Sequence, residues 1–577
     1  MVYSVNKELA GIFYEIANYL AMDKVAFKPQ AYEKAAEALE VLSESVNDIY
    51  KQGGEKAIED ISGVGEGLAE KIIEYLKTGK IKYYQGYKKK YPFNVQEITS
   101  VEGVGLMMAK ELYEELGVKN LKDLEKAVLA GKVRGLPRFG LKTEQNILQA
   151  IEFLKKSHGR FLLAEILPKV REIEAKLKSQ KDVIEVNVAG SVRRKKETIG
   201  DIDFLAVSDN PEKTMNYFCS LNDVVKVWAK GNTKSSIRLS DGFDVDLRIV
   251  PKNSYGAALQ YFTGSKEHNI KLRQIAIDKG YKLNEYGLFK GEQKIASESE
   301  EKIYKLLGLA FIEPEMREDR GEIELVQKNQ LPKLIELRDI VGDLHCHSSW
   351  DGGENSILEM AQAAQDRGCE YLGISDHTEF LKIEHGLTEN QFTEQRKEID
   401  EINSKLAIRK SKFRVLQGCE ANIMPDGSLD ISDEALKKLD YAIAGVHSNM
   451  KMLKNEMTSR MIKAMKNPYI KIISHPTGRL LKKRDEYQID MDKIMRVAKE
   501  TNTALEINSS PIRLDLNDIN IKKAKEMGVK MIVSTDSHHQ EQLSQMEYGV
   551  FQARRGWLEK HDVINTWSLD KLLKFFQ

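Results

Sequence analysis

Short apolar runs alternate with helical patterns through the last third of the chain, and metal-binding side chains stand where these runs end. From about Val341 this alternation predicts parallel strands with helical crossovers. Nine of the eleven histidines lie in this third, and six of them occupy predicted strand ends. In a barrel of parallel strands the catalytic groups cluster at the carboxyl ends of the strands, and these histidines and several carboxylates occupy just such ends.

The strand-end side chains are imidazoles and carboxylates, which suit Zn²⁺, Mn²⁺ or iron. They exceed the number that one ion requires, so we infer a multinuclear centre in which metal-activated water attacks a phosphoester. One predicted strand is an exception, because Ala504–Asn508 ends without a residue of ligand type. Three histidines, His385, His539 and His561, have no such role by position and are interpreted as ordinary.

The region resembles the PHP family, named for polymerase and histidinol phosphatase, in the motifs His345-x-His347, Ser375-Asp376-His377, Glu420, His447, His475-Pro476 and Asp536-x-His538. The resemblance implies a distorted (β/α)7 barrel that holds up to three divalent metal ions, Mn²⁺, Zn²⁺ or Fe²⁺. The implied ligands are His345, His347, Asp351, His377, Glu420, His447, His475, Asp536 and His538. No ligand position holds an inert residue, so the site is interpreted as active. Arg479 and Lys482–Arg484 could hold substrate phosphates, or could form a solvated helix start.

A second candidate site lies at Gly190–Asp203, between two predicted strands. Val183–Val188 is the first strand, and the second carries Asp201 and Asp203, whose side chains share a face because they are two residues apart. A Gly-Ser turn and a basic run precede them. Such a set suits a nucleoside triphosphate held by a divalent metal ion.

A third carboxylate is expected from the later predicted strand Phe243–Val250. Asp244 and Asp246 of this strand face the same way, so spacing alone does not choose between them.

These stretches resemble the nucleotidyltransferase core of family X DNA polymerases, the DNA polymerase beta family, and the motif Tyr261-Phe262-Thr263-Gly264-Ser265 extends the resemblance. It implies that Mg²⁺ or Mn²⁺ is bound by Asp201, Asp203 and Asp246, and that Asp246 helps to deprotonate the primer 3′-hydroxyl. The implied nucleotide-binding residues are Gly190, Ser191, Arg194, Tyr261, Phe262, Gly264 and Asn269. Ile199 departs from the pattern, because the animal enzymes have a phosphate-contacting serine there.

Residues 1–157 read as helices with three similar glycine-marked breaks, Ile61-Ser62-Gly63-Val64-Gly65, Val101-Glu102-Gly103-Val104-Gly105 and Leu136-Pro137-Arg138-Phe139-Gly140. A Gly-x-Gly that opens a helix leaves backbone N–H groups free to meet a phosphate. The breaks resemble the helix-hairpin-helix motif, which grips a DNA backbone without reading bases. The implied DNA contacts are Gly63, Gly65, Gly103 and Gly105. The third copy is degenerate, and any single copy could be a helix–helix turn that needs glycine.

The first helical domain resembles the part of family X polymerases that binds a 5′-phosphate across a gap, which places Lys28 and Tyr32 at phosphate contacts. Some members also remove a 5′-deoxyribose phosphate through a lysine Schiff base, and Lys71 matches that lysine. Gly67 replaces a basic residue expected in the pocket. A lysine on a helix is otherwise a solvated charge, and Schiff-base chemistry requires a lowered pKa.

At 577 residues the chain is too long for one core. Lys+Arg and Asp+Glu balance at 88 each, so any DNA-binding surface must be local. The four cysteines are scattered, which fits a reducing cytosol, and no apolar run is long enough to span a bilayer. Together with the resemblance to DNA polymerases, this leads us to expect a cytoplasmic, nucleoid-associated protein. The expected divisions are a helical DNA-binding domain (1–90), helical fingers (91–157), a palm (158–252), a thumb (253–325), a linker (326–340) and a PHP domain (341–577).

Two local expectations concern the palm and the thumb. Pro168 is expected to open a helix, Lys169–Ser179, behind the palm strands. The strongly charged stretch Glu313–Glu324 is expected to be exposed.

Taken together, the resemblances cover essentially the whole chain. They imply a polymerase that uses dNTPs to fill short gaps in gapped or nicked DNA, as in base excision repair. The PHP domain would add a 3′ phosphodiesterase, either a 3′–5′ exonuclease or cleavage at abasic sites. Three alternatives stay open: a structural or regulatory PHP domain, a PHP domain that acts on small phosphomonoesters, and a DNA-end-binding scaffold with weak catalysis. Nothing requires more than a monomer.

Overall fold

The structure is a computed structural model that describes residues 2–42, 45–61, 63–99, 101, 103–137, 139–157, 160–408 and 412–577. Ser62, Glu102 and Arg138 of the three glycine-marked motifs lie outside the described residues. The chain divides into two compact units, residues 1–160 and 161–577. Within the described ranges, no helix combines the length and the apolar character that crossing a membrane requires.

The first unit is helical in its described residues, as predicted. Its helices are α1 (Val2–Met22), α2 (Lys28–Val41), α3 (Val46–Glu59), α4 (Glu66–Thr78), α5 (Lys82–Lys90), α6 (Val95–Thr99), α7 (Leu106–Leu116), α8 (Leu121–Leu129) and α9 (Leu141–Ser157). Two hydrophobic cores form, one around Phe13 and Ile16 and one around Leu112 and Ile147. Each core encloses one of the two well-formed glycine-marked breaks, because Val64 and Val104 are buried in them.

The second unit begins with a five-stranded sheet in the order β2-β4-β7-β6-β5. Its elements are β1 (Phe161–Leu162), α10 (Leu163–Lys178), β2 (Val183–Val188), α11 (Gly190–Arg193), β3 (Thr198–Ile199), β4 (Ile202–Ser208), α12 (Pro211–Cys219), β5 (Val224–Lys230), β6 (Lys234–Leu239) and β7 (Asp244–Ile249). The pair β4–β7 is parallel and the other neighbours are antiparallel. The predicted strand Val183–Val188 is confirmed.

The predicted start of the helix behind this sheet is wrong. Helix α10 begins at Leu163, and Pro168 lies inside it. The Glu165 carboxylate accepts a hydrogen bond from the Leu162 N–H at 2.7 Å, and the side chains of Leu163 and Ile166 are buried. This cap and this packing stabilise a helix that begins before the proline and continues through it.

The next elements are α13 (Tyr255–Thr263), α14 (Lys266–Asp278), β8 (Lys282–Asn284), β9 (Gly287–Lys290), β10 (Gln293–Ala296), α15 (Glu300–Leu306) and α16 (Glu322–Gln327). The prediction that Glu313–Glu324 is exposed is wrong. Arg317 and Glu322 are completely buried, because Arg317 Nη1 pairs with Glu300 at 2.6 Å and Glu322 pairs with His268 at 2.8 Å. Charged side chains can be buried when each meets an opposite partner, which a charge count along the sequence does not reveal.

The rest of the chain forms a barrel, as predicted. Its elements are β11 (Gly342–Cys346), α17 (Ile357–Asp366), β12 (Tyr371–Ile374), α18 (Glu389–Ile408), β13 (Arg414–Gln417), β14 (Glu420–Asn422), α19 (Asp433–Leu436), β15 (Ala442–Gly445), α20 (Lys454–Met465), β16 (Ile470–Ile473), α21 (Met491–Thr501), β17 (Ala504–Asn508), α22 (Asp518–Met527), β18 (Met531–Ser534), α23 (Met546–Arg555) and α24 (Leu569–Phe576). All neighbouring strands are parallel. Strands β13 and β14 are two parts of one interrupted strand, so the described residues of the barrel form seven strands. A parallel bridge between Cys346 and Ser537 joins the first strand to the segment that follows the last.

The predicted linker, residues 326–340, packs against both of its neighbours. Leu334 lies in the core formed by α13–α16, and Ile335 lies in the barrel core. Trp557 of the barrel also enters the core of α13–α16. The elements between Phe161 and Gln577 are therefore joined by continuous apolar packing.

Candidate functional sites

The carboxyl ends of the barrel strands meet around Glu420, which is buried in the middle of the predicted metal ligands. Its carboxylate faces the Nε2 atoms of four histidines. Oε2 lies 3.3 Å from His345 and 3.0 Å from His377, and Oε1 lies 3.3 Å from His447 and 3.0 Å from His475. Glu420 and the four histidines that it contacts thus come from five different strands of the barrel.

The remaining predicted ligands gather around His347. Asp351 Oδ2 lies 2.8 Å from Nδ1 of His347 and 2.9 Å from Nδ1 of His377, and Asp536 Oδ1 lies 3.3 Å from His347 Nε2. The rings of His347 and His538 stack with centroids 4.1 Å apart. The structure therefore brings all nine residues into one cluster, and their role as ligands stays a prediction.

The chemistry of this cluster fits divalent metal ions. Several sets of three His, Asp or Glu donor atoms lie within 4.8 Å of one another, including the set from His377, Glu420 and His447. The Nε2 atoms of His345, His347 and His447 are buried and have no hydrogen-bond partner among the described residues. Buried polar atoms normally have partners, so these nitrogens, aimed at shared carboxylates, indicate a place for cations.

Glu506 is a candidate functional side chain that the sequence analysis missed. It lies within β17, the strand that was expected to end without a ligand, and it is completely buried. Its Oε1 is 2.6 Å from His345 Nδ1, and its Oε2 accepts a hydrogen bond from the His475 N–H at 2.5 Å. A carboxylate on the far ring nitrogen fixes the tautomer and direction of a metal-binding histidine. The available signal was an acidic residue between two apolar residues, Leu505 and Ile507, inside a predicted strand.

Two of the predicted ligands have an unusual backbone conformation. His475 has a φ of +28° and Asp536 a φ of +56°, and each is the second residue after its strand, β16 or β18. A non-glycine residue in this region costs about 1–3 kcal/mol and persists where the surroundings impose it. Such positions cluster at functional sites, which agrees with their place in the cluster.

The arginines near the cluster differ from expectation. Arg479 does not point at a substrate site, because its Nη2 donates to Glu197 Oε2 at 2.8 Å and also to the Leu514 carbonyl. Arg513, which the sequence analysis did not identify, places its Nε 3.5 Å from Asp536 Oδ2. Its side chain is partly exposed, so Arg513 is the candidate phosphate contact beside the cluster.

A second acidic cluster lies on the five-stranded sheet. Asp203 and Asp246 are direct partners on the parallel strands β4 and β7, and Asp201 stands two residues before Asp203. Burial, followed by repulsion from Asp201 and Asp246, raises the pKa of Asp203 to about 6. Carboxylates that repel one another in this way fit divalent cations.

The two acids of β7 that spacing left equivalent differ in their side-chain contacts. Both oxygens of Asp244 accept hydrogen bonds from Arg238, at 2.9 and 2.6 Å, and Oδ1 also accepts one from Trp228 Nε1 at 3.1 Å. Asp246 instead stands opposite Asp203, with Lys234 Nζ 2.6 Å from its Oδ2. The geometry therefore favours Asp246 as the third acid.

Gly190 and Gly264, of the predicted nucleotide-binding motifs, allow close approach to Asp203 and to Arg194 respectively. Gly190 has a φ of +57°, and a Cβ there would lie 2.4 Å from Asp203 Oδ2. A Cβ at Gly264 would lie 3.1 Å from Arg194 Nη1, which donates to the carbonyl of the neighbouring Thr263. Ser191 lies beside Gly190 in α11.

The other predicted nucleotide contacts follow on α13 and α14. The rings of Tyr261 and Phe262 meet edge to face with centroids 5.1 Å apart. The amide of Asn269 is held inside the protein, because Nδ2 donates to the Tyr261 carbonyl at 2.7 Å and Oδ1 accepts from Gln260 at 2.6 Å. Ile199 is fully buried in β3, so it offers no polar contact.

The first unit presents two helix N-termini of matching construction. Gly63 and Gly103 have φ values of +89° and +83°. Gly65 and Gly105 are the N-cap residues of α4 and α7, and neither helix has a side-chain cap. Uncapped N-termini leave N–H groups for an anion such as phosphate. The third break differs, because its glycine, Gly140, does not have a positive φ. There the Glu144 carboxylate accepts a hydrogen bond from the Arg134 N–H at 2.8 Å.

The predicted 5′-phosphate residues lie near one another on α2 and α4. Lys28 is exposed at the first position of α2, and Tyr32 is buried one turn later. Tyr32 stacks on Tyr83 with centroids 6.4 Å apart, and Lys71 Nζ lies 5.4 Å from the Tyr83 ring centre. Lys71 Nζ also donates to the Gly67 carbonyl at 2.7 Å.

Sequence models of known families match four parts of the chain. Residues 4–81 match a helix-hairpin-helix domain and residues 95–152 a SAM-like helix-hairpin-helix tandem. Residues 258–318 match the DNA polymerase beta thumb. Residues 343–510 match the PHP domain, and the barrel continues past this match to Asp536 and His538.

Curated relatives fall into two groups. A protein of Bacillus subtilis (strain 168), DNA polymerase/3′-5′ exonuclease PolX, is 38% identical over 577 residues, which cover 99% of each chain. A probable phosphatase of Thermoanaerobacter sp. (strain X514) is 29% identical over 238 residues, 39% of this chain and 91% of the phosphatase. A probable phosphatase of Caldicellulosiruptor bescii is 32% identical over 215 residues, 36% of this chain and 82% of the phosphatase.

Proposed function

The chain belongs to the PolX family, the family X DNA polymerases that carry a PHP domain, and from this premise we propose a gap-filling DNA polymerase with a metal-dependent 3′–5′ exonuclease. Its substrates are gapped or nicked DNA and dNTPs. Base excision repair is the process that supplies short gaps of this kind. The protein acts as a monomer on DNA, associated with the nucleoid in the cytoplasm.

The polymerase half is carried by one observation, the register that places Asp246 opposite Asp203 with Asp201 beside them. Bound Mg²⁺ or Mn²⁺ would supply charge stabilisation for transfer of a nucleotidyl group. Asp246 accepts the proton of the primer 3′-hydroxyl, and Arg194 and Ser191 orient the triphosphate. Tyr261 and Phe262 pack against the incoming sugar, and Asn269 comes within reach of the base edge when its bond to Gln260 opens.

The exonuclease half is carried by the histidines around Glu420 and their unpartnered ring nitrogens. Up to three Mn²⁺, Zn²⁺ or Fe²⁺ ions bound there would activate water for attack on a phosphodiester. Glu506 keeps His345 in the ligand tautomer, and Arg513 holds a phosphate of the DNA strand. Cleavage at an abasic site would be the same hydrolysis of a phosphodiester, applied next to a sugar that has lost its base.

A second candidate activity for the barrel is hydrolysis of small phosphomonoesters. The matched phosphatases of Thermoanaerobacter and Caldicellulosiruptor support it, because the matches cover 91% and 82% of their own chains over 238 and 215 residues, a length close to that of the barrel. Phosphate release from nucleotides and small phosphates, measured beside exonuclease activity, separates the two substrates.

The glycine-marked hairpins grip the DNA backbone through the N-termini of α4 and α7, with Gly63, Gly65, Gly103 and Gly105 allowing the close approach. Lys28 and Tyr32 stand at the 5′-phosphate. Lys71 is the candidate Schiff-base lysine, and borohydride trapping on a 5′-deoxyribose phosphate tests it. Absence of a trapped adduct, with gap filling intact, would limit this domain to binding.

One assay tests both main activities. A 5′-labelled primer on a one-nucleotide gap with a 5′-phosphate is incubated in Mn²⁺ with and without dNTPs. We expect extension with dNTPs and shortening without them. Asp246→Ala removes only extension, and His345→Ala removes only shortening. Extension without shortening would favour a barrel that acts on small phosphates or is structural. The absence of both extension and shortening would contradict the proposal.

A further inference from the structure

Helix α23, near the end of the barrel, contacts the turn that carries the predicted triphosphate-binding residues. Lys195 Nζ lies 4.6 Å from the ring centre of Phe551, and Gln552 Nε2 donates to Glu197 Oε2 at 3.3 Å. Arg171 of α10, behind the same turn, pairs with Glu547 at 2.6 Å. The contacts from Glu547 to Arg555 follow one face of the helix, so the barrel supports residues 194–197 directly.

A buried ion-pair chain runs through this contact and ends on Arg194. Arg555, the last residue of α23, is 2% exposed. Its Nη1 donates to Glu318 Oε1 at 3.1 Å and to the Arg194 carbonyl at 2.8 Å, and its Nη2 donates to Asp518 Oδ2 at 2.5 Å. Glu318 Oε1 in turn accepts from Arg194 Nε at 3.1 Å. Arg555 therefore holds both the backbone and, through Glu318, the side chain of Arg194.

These bonds fix the guanidinium of Arg194 and leave one nitrogen available. Nε is bound by Glu318 and Nη1 by the Thr263 carbonyl. Nη2 has no hydrogen-bond partner among the residues that the structure describes. A guanidinium held at two nitrogens loses little further freedom when the third meets a phosphate oxygen, so the arrangement favours binding.

The charges along this chain of ion pairs also suit an anionic ligand. Glu318 is surrounded by Arg194, Arg555 and Lys196, whose Nζ lies 3.6 Å away. Burial alone would raise the pKa of Glu318, but Arg555 and Arg194 hold that pKa below its usual range. Arg320 lies 3.0 Å from Asp518. Within this ion-pair chain, four cations thus stand against two carboxylates.

We propose that Arg555, a barrel residue outside the polymerase site, is a positioning residue for nucleotide binding that acts through Glu318 on Arg194. This inference rests on the proposed polymerase function. The barrel then has two separate roles: its metal cluster cuts DNA, and its helix α23 prepares the site that extends DNA.

The test compares Arg555→Lys and Glu318→Gln with Arg554→Ala in the full chain. Arg554 is the matched control, because it pairs with Glu315 at 2.8 Å at the same contact and makes none of the Arg194 bonds. Single-nucleotide gap filling gives KM for dNTP and kcat, equilibrium binding gives the affinity for Mg²⁺·dNTP, and thermal unfolding shows that each variant is folded.

We expect Arg555→Lys and Glu318→Gln to weaken nucleotide affinity and raise KM about tenfold, with a smaller change in kcat. Exonuclease activity should be unchanged, and Arg554→Ala should keep the wild-type KM. Combining the two changes should weaken affinity no further than one of them, because both break the same chain.

Wild-type nucleotide affinity in both variants, or an equal loss in Arg554→Ala, would overturn the inference. The binding measurement decides it even if the wild-type protein fails to extend a primer, a result that would count against the proposed polymerase instead.

Discussion

Gly190 packs directly against Asp203, so that a methyl group on Gly190 would stand 2.4 Å from the Asp203 carboxylate. The φ of Gly190 is +57°, which side chains rarely adopt. Backbone and carboxylate can meet only because this position lacks a Cβ. The two halves of the predicted polymerase site, the phosphate turn and the acidic strand, are thereby held in contact.

The first prediction follows from this contact. Gly190→Ala should displace Asp203 and reduce primer extension about 100-fold or more, since a shift of about 1 Å in a catalytic group has that effect. Gly280→Ala is the control, because Gly280 also has a positive φ, +75°, but has nothing near its Cβ. Extension rates and unfolding temperatures of both variants are compared. Equal losses of extension would mean that backbone strain, rather than contact with Asp203, matters.

The two acids of β7 should differ sharply. Asp246→Asn should lower extension about 1,000-fold, because it removes a carboxylate that faces Asp203. Asp244→Asn should retain most of the activity, since Asp244 is occupied by Arg238 and Trp228. Single-turnover extension in Mg²⁺ measures both. The reverse order of effects would assign the third acid to Asp244.

Glu506 should govern metal affinity without being a ligand. Glu506→Gln should weaken metal binding about 10–100-fold, because the His345 ring loses its carboxylate partner. Chelator competition and elemental analysis measure the affinity, and exonuclease should fall in parallel while extension persists. Glu526→Gln, on the surface of α22 beside Lys522, is the control. Unchanged metal content in Glu506→Gln would refute the orienting role.

Removal of metal should destabilise the barrel. The buried histidine nitrogens would lose the partners that satisfy them, and a ligand that binds only the folded state raises its stability. We expect chelation to lower the unfolding temperature, and added Mn²⁺ or Zn²⁺ to restore it. Calorimetry of wild type and Glu420→Gln provides the comparison. A wild-type transition insensitive to chelator would argue against a bound metal cluster.

The hairpins of the first unit should contribute to DNA affinity through single phosphates. Gly103→Ala should weaken binding to gapped DNA and lower the slope of log affinity against log salt by about 1, the value for one lost phosphate contact. Gly117→Ala is matched to it, because Gly117 also has a positive φ, +67°, and an open Cβ position. Fluorescence anisotropy over a salt series gives the slopes. Identical slopes would make the hairpin a structural turn.

The sequence by itself determined the types of element and the positions of the ligand-type residues. A period of two places Asp201 and Asp203 on one face, and the alternation of strands and helices predicts where His345 through His538 come together. These inferences succeed because they depend on local geometry that every strand and barrel shares.

Only the tertiary structure decided which side chains are already engaged. Asp244 and Asp246 are equivalent by spacing, and Arg238 on the neighbouring strand β6 separates them by pairing with Asp244. Glu506 contributes to the cluster from within a strand, and Arg479 turns to Glu197, 282 residues away along the chain. The burial of Arg317 and Glu322 has the same origin. A charge becomes structural or catalytic according to its partner, and partners distant in sequence meet only when the chain has folded.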